Sequence, residues 1–428
     1  MRAVVAAALA AGFLLVAAGC GSSTAATDQL GGDAAKLVPP SALAFVSVDT
    51  NLDSPQWATV KDLFGPIQLP KGLDYQRDVK PALGDELNLA VLGIDNGRAD
   101  AIAIVKPEDS AKLSKLAAMF DQGSEHYTVE QIGGWSVVAD SAGAFQAVRT
   151  ASSGDSLADD ADYQSATSQL GGAALATAYA TAKGAQTFPE KLRALVRVGG
   201  SPGWIAARLT SKDNAVRIDA HDSTAAGPAA YKPTLLRDVP SGATLAVSFK
   251  DVNELLARVK AEPALRAALP PLVTDLNGVT GEGVLYVVPG AILPVVTVEV
   301  RPHDPAAAAT SFRAIATRLG NTLPLNVRQE GAKVLLTTAP SNLGSSGSLV
   351  DDQPFKDALA AADVPDDVTW LAYADVPRLS PLIQAFSALL GSGQQAPNVK
   401  LLDKLGTLVA YGARTGSTSR LVVRLTHA

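Results

Sequence analysis

Read for the spacing of its apolar positions, the chain alternates short strand-like runs with stretches of helical period. Leu43–Val48 is such a run, and Trp57, Val60, Leu63 and Phe64 then recur at helical spacing, which predicts a helix with a core-facing stripe. Leu87–Leu92 and Ala99–Val105 read as strands split by Asp95-Asn96-Gly97-Arg98, where Asn-Gly favours the positive φ of a tight hairpin turn. A helix is expected from Asp109 to Phe120, then a hairpin of Tyr127–Ile132 and Trp135–Ala139 turning at Gly133-Gly134. A helix near Tyr163–Leu170, a strand around Leu175–Ala180 and a helix starting near Pro189 follow. Trp204–Leu209 and Ala215–Ala220 form a third hairpin, and Thr407–Ala413 with Arg420–Leu425 close the chain in the same way. Tight turns make neighbouring strands antiparallel. The predicted class is therefore α+β, with helices packed on largely antiparallel sheet. The apolar run Val284–Val300 is long enough to raise a membrane segment, but Pro289, Gly290 and Pro294 interrupt it, so two strands are the better reading.

The same phrases occur twice, in one order. Val38-Pro39-Pro40-Ser41-Ala42 leads into the first strand, and Val239-Pro240-Ser241-Gly242-Ala243 into a later one. Gly84-Asp85-Glu86 answers Gly281-Glu282-Gly283, and Val105-Lys106-Pro107-Glu108-Asp109 answers Val300-Arg301-Pro302-His303-Asp304. Ser156-Leu157-Ala158-Asp159-Asp160 with Tyr163 answers Ser348-Leu349-Val350-Asp351-Asp352 with Phe355. The offset drifts from 201 (Pro39 to Pro240) through 195 (Val105 to Val300) to 192 (Ser156 to Ser348), as loop insertions and deletions would leave it. Two tandem, internally duplicated lobes are expected over 36–223 and 235–428. The Pro/Gly/Ala-rich stretch 224–234 would link them.

Arg2 and the apolar stretch Ala3–Ala18 have the form of a signal peptide, at about 16 residues too short to span a bilayer. The stretch ends in Ala17-Ala18-Gly19-Cys20, small residues before a cysteine that resemble the bacterial lipobox, although Ala17 stands where Leu is commonest. The resemblance implies removal of residues 1–19 and a diacylglyceryl group on Cys20. Residues 20–35 then read as the lipidated cysteine and a Gly/Ser/Thr/Ala tether. Such a protein sits at the outer face of the cell membrane or a periplasmic membrane surface.

Composition narrows the chemistry. At 428 residues with 47% hydrophobic content, the chain has enough apolar mass for two packed cores. A net charge of −6 and the absence of any Lys/Arg-rich run argue against a nucleic-acid partner. Cys20 is the only cysteine, which excludes intrachain disulfides and, once lipidated, a thiol nucleophile. His126, His221, His303 and His427 lie far apart in sequence, with no paired metal-ligand spacing, so no metal site is expected. Glu108 holds the place of His303 in the other copy, so that position reads as a tolerant helix start. Gly199-Gly200-Ser201-Pro202-Gly203 matches the nucleophile-elbow pattern formally, but Pro202 has no N–H for an oxyanion and a strand follows. Asp155, Asp159, Asp160 and Asp162, echoed by Asp351 and Asp352 beside Pro354, lack calcium-loop spacing and read as helix-capping carboxylates. Trp57, Leu63 and Phe64 read as core. Tyr179 and Tyr373 hold equivalent strand positions, with ring burial favoured over ligand stacking.

Several of these phrases, the Val38-Pro39-Pro40 start with Ala42-Leu43-Ala44-Phe45-Val46, the Gln56-Trp57 helix, the Leu83-Gly84-Asp85-Glu86 turn and Ser156–Asp160, resemble an uncharacterised bacterial family, domain of unknown function 3352. The similarity extends over about residues 36–428. It implies an exported or envelope-associated protein and brings no catalytic residues with it. The expected role is a non-enzymatic envelope protein needing no cofactor, with the membrane as partner through Cys20 and an envelope protein or small ligand held between the lobes. A solute-binding lipoprotein of a transporter is the alternative, and an extracytoplasmic hydrolase is the least supported.

Overall fold

The computed structural model describes residues 30–428 apart from 66, 68, 71, 96–97, 122–125, 225–226, 267–275, 277–278, 291–293, 320–323, 340–346 and 382–401. Cys20, the signal segment and the Asn96-Gly97 turn lie outside the described residues. The chain divides into two compact units, Met1–Pro189 with Ser201–Ala225, and Glu190–Gly200 with Ala226–Ala428.

The first unit runs α1 (Gly32–Ala35), β1 (Ala44–Asp49), α2 (Pro55–Phe64), β2 (Glu86–Asp95), β3 (Arg98–Val105), α3 (Ser110–Ala118), β4 (Thr128–Ile132), β5 (Trp135–Ala139), α4 (Ala142–Ser153), α5 (Ala161–Leu170) and β6 (Ala176–Thr181). After α6 (Glu190–Gly199), which counts with the second unit, β7 (Trp204–Lys212) and β8 (Ala215–Asp222) complete it. Its strand order is β8-β7-β6-β1-β2-β3-β5-β4, with every pairing antiparallel. α2 starts because Ser54 Oγ accepts from Trp57 N and Pro55 fits the first turn. α3 starts because Asp109 Oδ1 accepts from the amides of Ala111 and Lys112 at 3.0 and 3.1 Å.

The second unit contains α6, β9 (Leu245–Lys250), α7 (Val252–Ala261), β10 (Glu282–Val288), β11 (Val295–Arg301), α8 (Pro305–Leu319), β12 (Asn326–Glu330), β13 (Lys333–Thr337), α9 (Gln353–Ala361), β14 (Trp370–Asp375), β15 (Leu405–Thr415) and β16 (Thr418–His427). Its order is β16-β15-β14-β9-β10-β11-β13-β12, again antiparallel throughout. α6 packs on α7, although its place in sequence is between β6 and β7. The run Val284–Val300 is indeed two paired strands, β10 and β11.

Four details depart from the sequence expectations. Residues 32–35, assigned by composition to the tether, form α1, and Ala34 and Ala35 are fully buried in the first unit's core. Small side chains suit a tether, but they also suit a helical turn laid flat on a sheet. The linker stretch ends in packed structure, since Tyr231 is buried, pairs with Val368 and bonds Ser248 Oγ at 2.8 Å. Phe64 is exposed whereas Trp57, Val60 and Leu63 are buried, because Phe64 is the last helical residue before the chain leaves at Gly65. Helix α4 was not expected, since its Ala, Gly, Ser and Thr content writes only a faint stripe.

Candidate functional site

A knot of titratable groups in the first unit lies on the β7–β8 hairpin. Asp213 and Asn214 both have positive φ, 56° and 54°, which makes the tight turn that fixes the register. Arg208 therefore stands opposite Asp219, and Ala206 opposite His221. Side chains two apart on a strand share a face, so Arg217, Asp219 and His221 point the same way and Arg208 meets them from β7. Asp219 is only 1% exposed. Its carboxylate lies 3.0 Å from His221 Nε2, 3.5 Å from Arg217 Nη2 and 3.7 Å from Arg208 Nη2. Arg208 Nη1 also donates to the carbonyl of Gly171, just past the end of α5, at 3.0 Å.

A buried carboxylate flanked by two guanidiniums holds its charge in a low-dielectric place. It offers little to acid–base catalysis, which needs a group facing a substrate proton. The hydroxyl opposite Arg217, that of Thr210, donates to the Arg217 carbonyl at 3.5 Å. The cluster reads as a positioning and charge-holding site.

The second unit has its own charged knot. Lys333 Nζ lies 2.7 Å from Asp238 Oδ2 and 3.0 Å from Glu299 Oε1. Burial pushes the Glu299 carboxyl above its ordinary range, and Lys333 only partly offsets that. For Lys333, burial opposes the charge, but bonds to the two carboxylates outweigh it and raise its pKa. The lysine side chain is 28% exposed and the Glu299 side chain 5%, which explains why desolvation wins on one partner only. Tyr286 and the Thr297–Thr337 hydroxyl pair, 2.7 Å apart, lie along the same face.

The residues singled out from the sequence scatter. Asp159 accepts from the amide and hydroxyl of Ser156, which hold its carboxyl below the usual range, and Asp160 caps α5 through Tyr163 N. Tyr179 packs edge-on against Tyr163 with centroids 5.2 Å apart, and Tyr373 against Phe355 at 5.0 Å. Both rings are core, and burial raises both hydroxyl pKa values. His126 meets Asp121 at 3.3 Å on the surface. The His303 amide, at 3.3 Å from Thr280 Oγ1, belongs to the start of α8, and His427 sits by the C-terminal carbonyl. Ser201 lies between α6 and β7, so a strand follows it. Among the described residues, no group of three or more His, Cys, Asp or Glu is arranged to hold a metal ion.

Sequence reading missed both charged knots. The signal for the first was Arg-x-Asp-x-His at 217, 219 and 221, a period-two charge pattern on a strand, which puts three charges on one face. The second draws on three distant segments and left no local signal.

Residues 1–144 match the model of a family described as "Protein of unknown function (DUF3352)". This is the family that the Val38-Pro39-Pro40 and Leu83–Glu86 phrases resemble. The match ends inside α4, before the second set of phrases and before Ser156–Asp160. No curated protein and no solved structure matches the chain. No described helix is long and apolar enough to cross a membrane.

Proposed function

We propose that the chain is a lipid-anchored extracytoplasmic protein of the cell envelope, built of two tandem repeat lobes, that binds a partner and catalyses no reaction. The observation that carries the anchoring is Cys20, the only thiol, placed directly after a short apolar segment and small residues. One acyl chain anchors marginally, whereas the two or three of a bacterial lipoprotein hold stably.

The duplication is supported by the two strand orders, which read alike place by place when each strand is set against the one eight later. Local details agree. A Cβ on Gly84 would collide with the Lys106 carbonyl, and one on Gly281 with the Arg301 carbonyl, both glycines having φ near +72°. Leu157 N donates to Val38 O at 2.7 Å, and Leu349 N to Val239 O at 2.8 Å. Asp304 caps α8 through Ala306 N and Ala307 N as Asp109 caps α3. Binding is favoured over catalysis because the charged groups of both knots are engaged in ion pairs with one another and the described histidines are scattered.

Metabolic labelling with a fatty-acid analogue tests the anchor. Wild-type protein should take up label and Cys20→Ser should not. Label retained by Cys20→Ser would refute the assignment. Robust turnover in a hydrolase and transferase screen, lost on changing one carboxylate or hydroxyl without unfolding, would refute the binding role.

A further inference from the structure

Where the chain joins the fold decides which part of the molecule faces the membrane. Resting on the anchored reading above, we propose that the lipid surface is met by one end of the first unit's sheet, where β1 ends and β2 begins, at a standoff of at most about 36 Å. The argument starts at Leu30, whose carbonyl receives the Thr177 hydroxyl of β6 at 3.5 Å. Gly31 takes φ 84° and lies so close to Ser47 and Phe45 of β1 that a Cβ there would collide with them. Glu86, the first residue of β2, accepts the Gly31 amide. Ala34, Ala35, Leu37 and Val38 are then buried in the core.

Residues 31–38 are thus part of the fold and lend no length to the anchor. Ten residue steps separate Cys20 from Leu30, and a chain spans at most about 3.6 Å per residue in any conformation. That bound is about 36 Å, whereas a tether running to Lys36 would have allowed about 58 Å. Charge does not set the distance. Lys36 pairs with Asp33 at 2.8 Å, the Lys106 ammonium sits over the Trp135 ring at 4.1 Å, and Asp85 and Glu86 adjoin, so the signs are mixed. A surface that binds anionic lipid by charge needs a cluster of cations.

The lipid on Cys20 blocks its thiol, so one introduced cysteine can be labelled alone in the full-length lipidated protein. Fluorophores would be placed at Lys36→Cys or, separately, at Asp95→Cys. Both sites are exposed, and the second lies at the far end of β2, roughly 30 Å from Glu86 at the usual rise per residue. Energy transfer is measured to a headgroup acceptor in phosphatidylcholine vesicles, with and without phosphatidylglycerol. Transfer should be stronger from 36 than from 95, should weaken when ten Gly/Ser residues are inserted between 29 and 30, and should not change with the anionic lipid. Equal or reversed transfer in protein that floats with the vesicles would overturn the orientation alone. Protein that fails to float would overturn the anchored reading together with it.

Discussion

In the first unit, Leu37, Ile104 and Trp135 belong to one apolar core cluster. At the places of Ile104 and Trp135 in the second unit's strand order stand Glu299 and Lys333, which form an ion triad with Asp238. The β7–β8 hairpin shows the reverse. Arg208 and Asp219, cross-strand neighbours there, are matched on β15–β16 by Tyr411 and Val422, neighbours with 0% exposure each. Even so, Tyr411 Oη donates to the carbonyl of Asp363, just past α9, at 2.9 Å, as Arg208 donates to Gly171 just past α5. Each unit thus carries a charged knot where the other carries packed apolar groups. Each set holds together only as a whole, because a buried charge is tolerable only with its partners and a buried apolar group only among its own kind. One further difference bears on the triad. Helix α4 supplies Phe145 and Val148 to the first unit's cluster, whereas the second unit has only residues 338–348 between β13 and the turn Leu349–Asp351, fewer than the twelve residues of α4.

This comparison is most severely tested by breaking the triad by one member. Lys333→Met leaves the buried Glu299 carboxylate without its cation and should cost the second unit about 1–2 kcal/mol, less than a fully buried pair would, because Lys333 and Asp238 are 28% and 34% exposed. The joint change Asp238→Leu, Glu299→Ile and Lys333→Met should return stability to within about 1 kcal/mol of wild type or above it. Denaturant unfolding with hydrogen exchange at β11 and β13 reads both, and a triple variant as damaged as the single one would show that the units do not share a frame.

The turn glycines sharpen the same point. Gly84→Ala and Gly281→Ala each force a side chain into left-handed backbone and onto a neighbouring carbonyl, so each should lose roughly 2–3 kcal/mol. Similar losses are expected in the two units by thermal unfolding, and a loss confined to one would separate them.

Asp219→Asn should destabilise the first unit by about 2 kcal/mol, since two guanidiniums lose their counter-charge. Val422→Ala at the matching place should cost a similar amount through a cavity alone. A double-mutant cycle distinguishes the causes: the Asp219→Asn loss should shrink in an Arg217→Met background, and the Val422→Ala loss should not.

The smallest effect is with pH. Burial raises the Glu299 carboxyl pKa in the folded state, so the native protein holds that proton more tightly than the unfolded chain. The associated stability is fully present below the ordinary glutamate pKa and is lost as pH rises through the elevated folded value. Isoleucine at the matching position, Ile104, has nothing to titrate. Unfolding of the β11 region followed from mild acid to neutral pH should show this slope, and Glu299→Gln should flatten it.

Hydrophobic period, paired prolines and turn glycines were enough by themselves to give the α+β class, most strands and helices, the antiparallel hairpins and the repeated phrases. These signals are local: a strand's alternation or an Asn-Gly turn needs no distant partner to be recognised. Tertiary structure alone decided that β1 lies between β2 and β6, that α6 counts with the second unit, and that residues 32–35 are core. It alone brought Asp238, Glu299 and Lys333 within 3.0 Å contacts from segments far apart in the chain. The physical reason is the same in each case. Which surfaces bury one another depends on long-range pairing, and the free energy of an ion pair depends on burial, neither of which is written at any single position of the sequence.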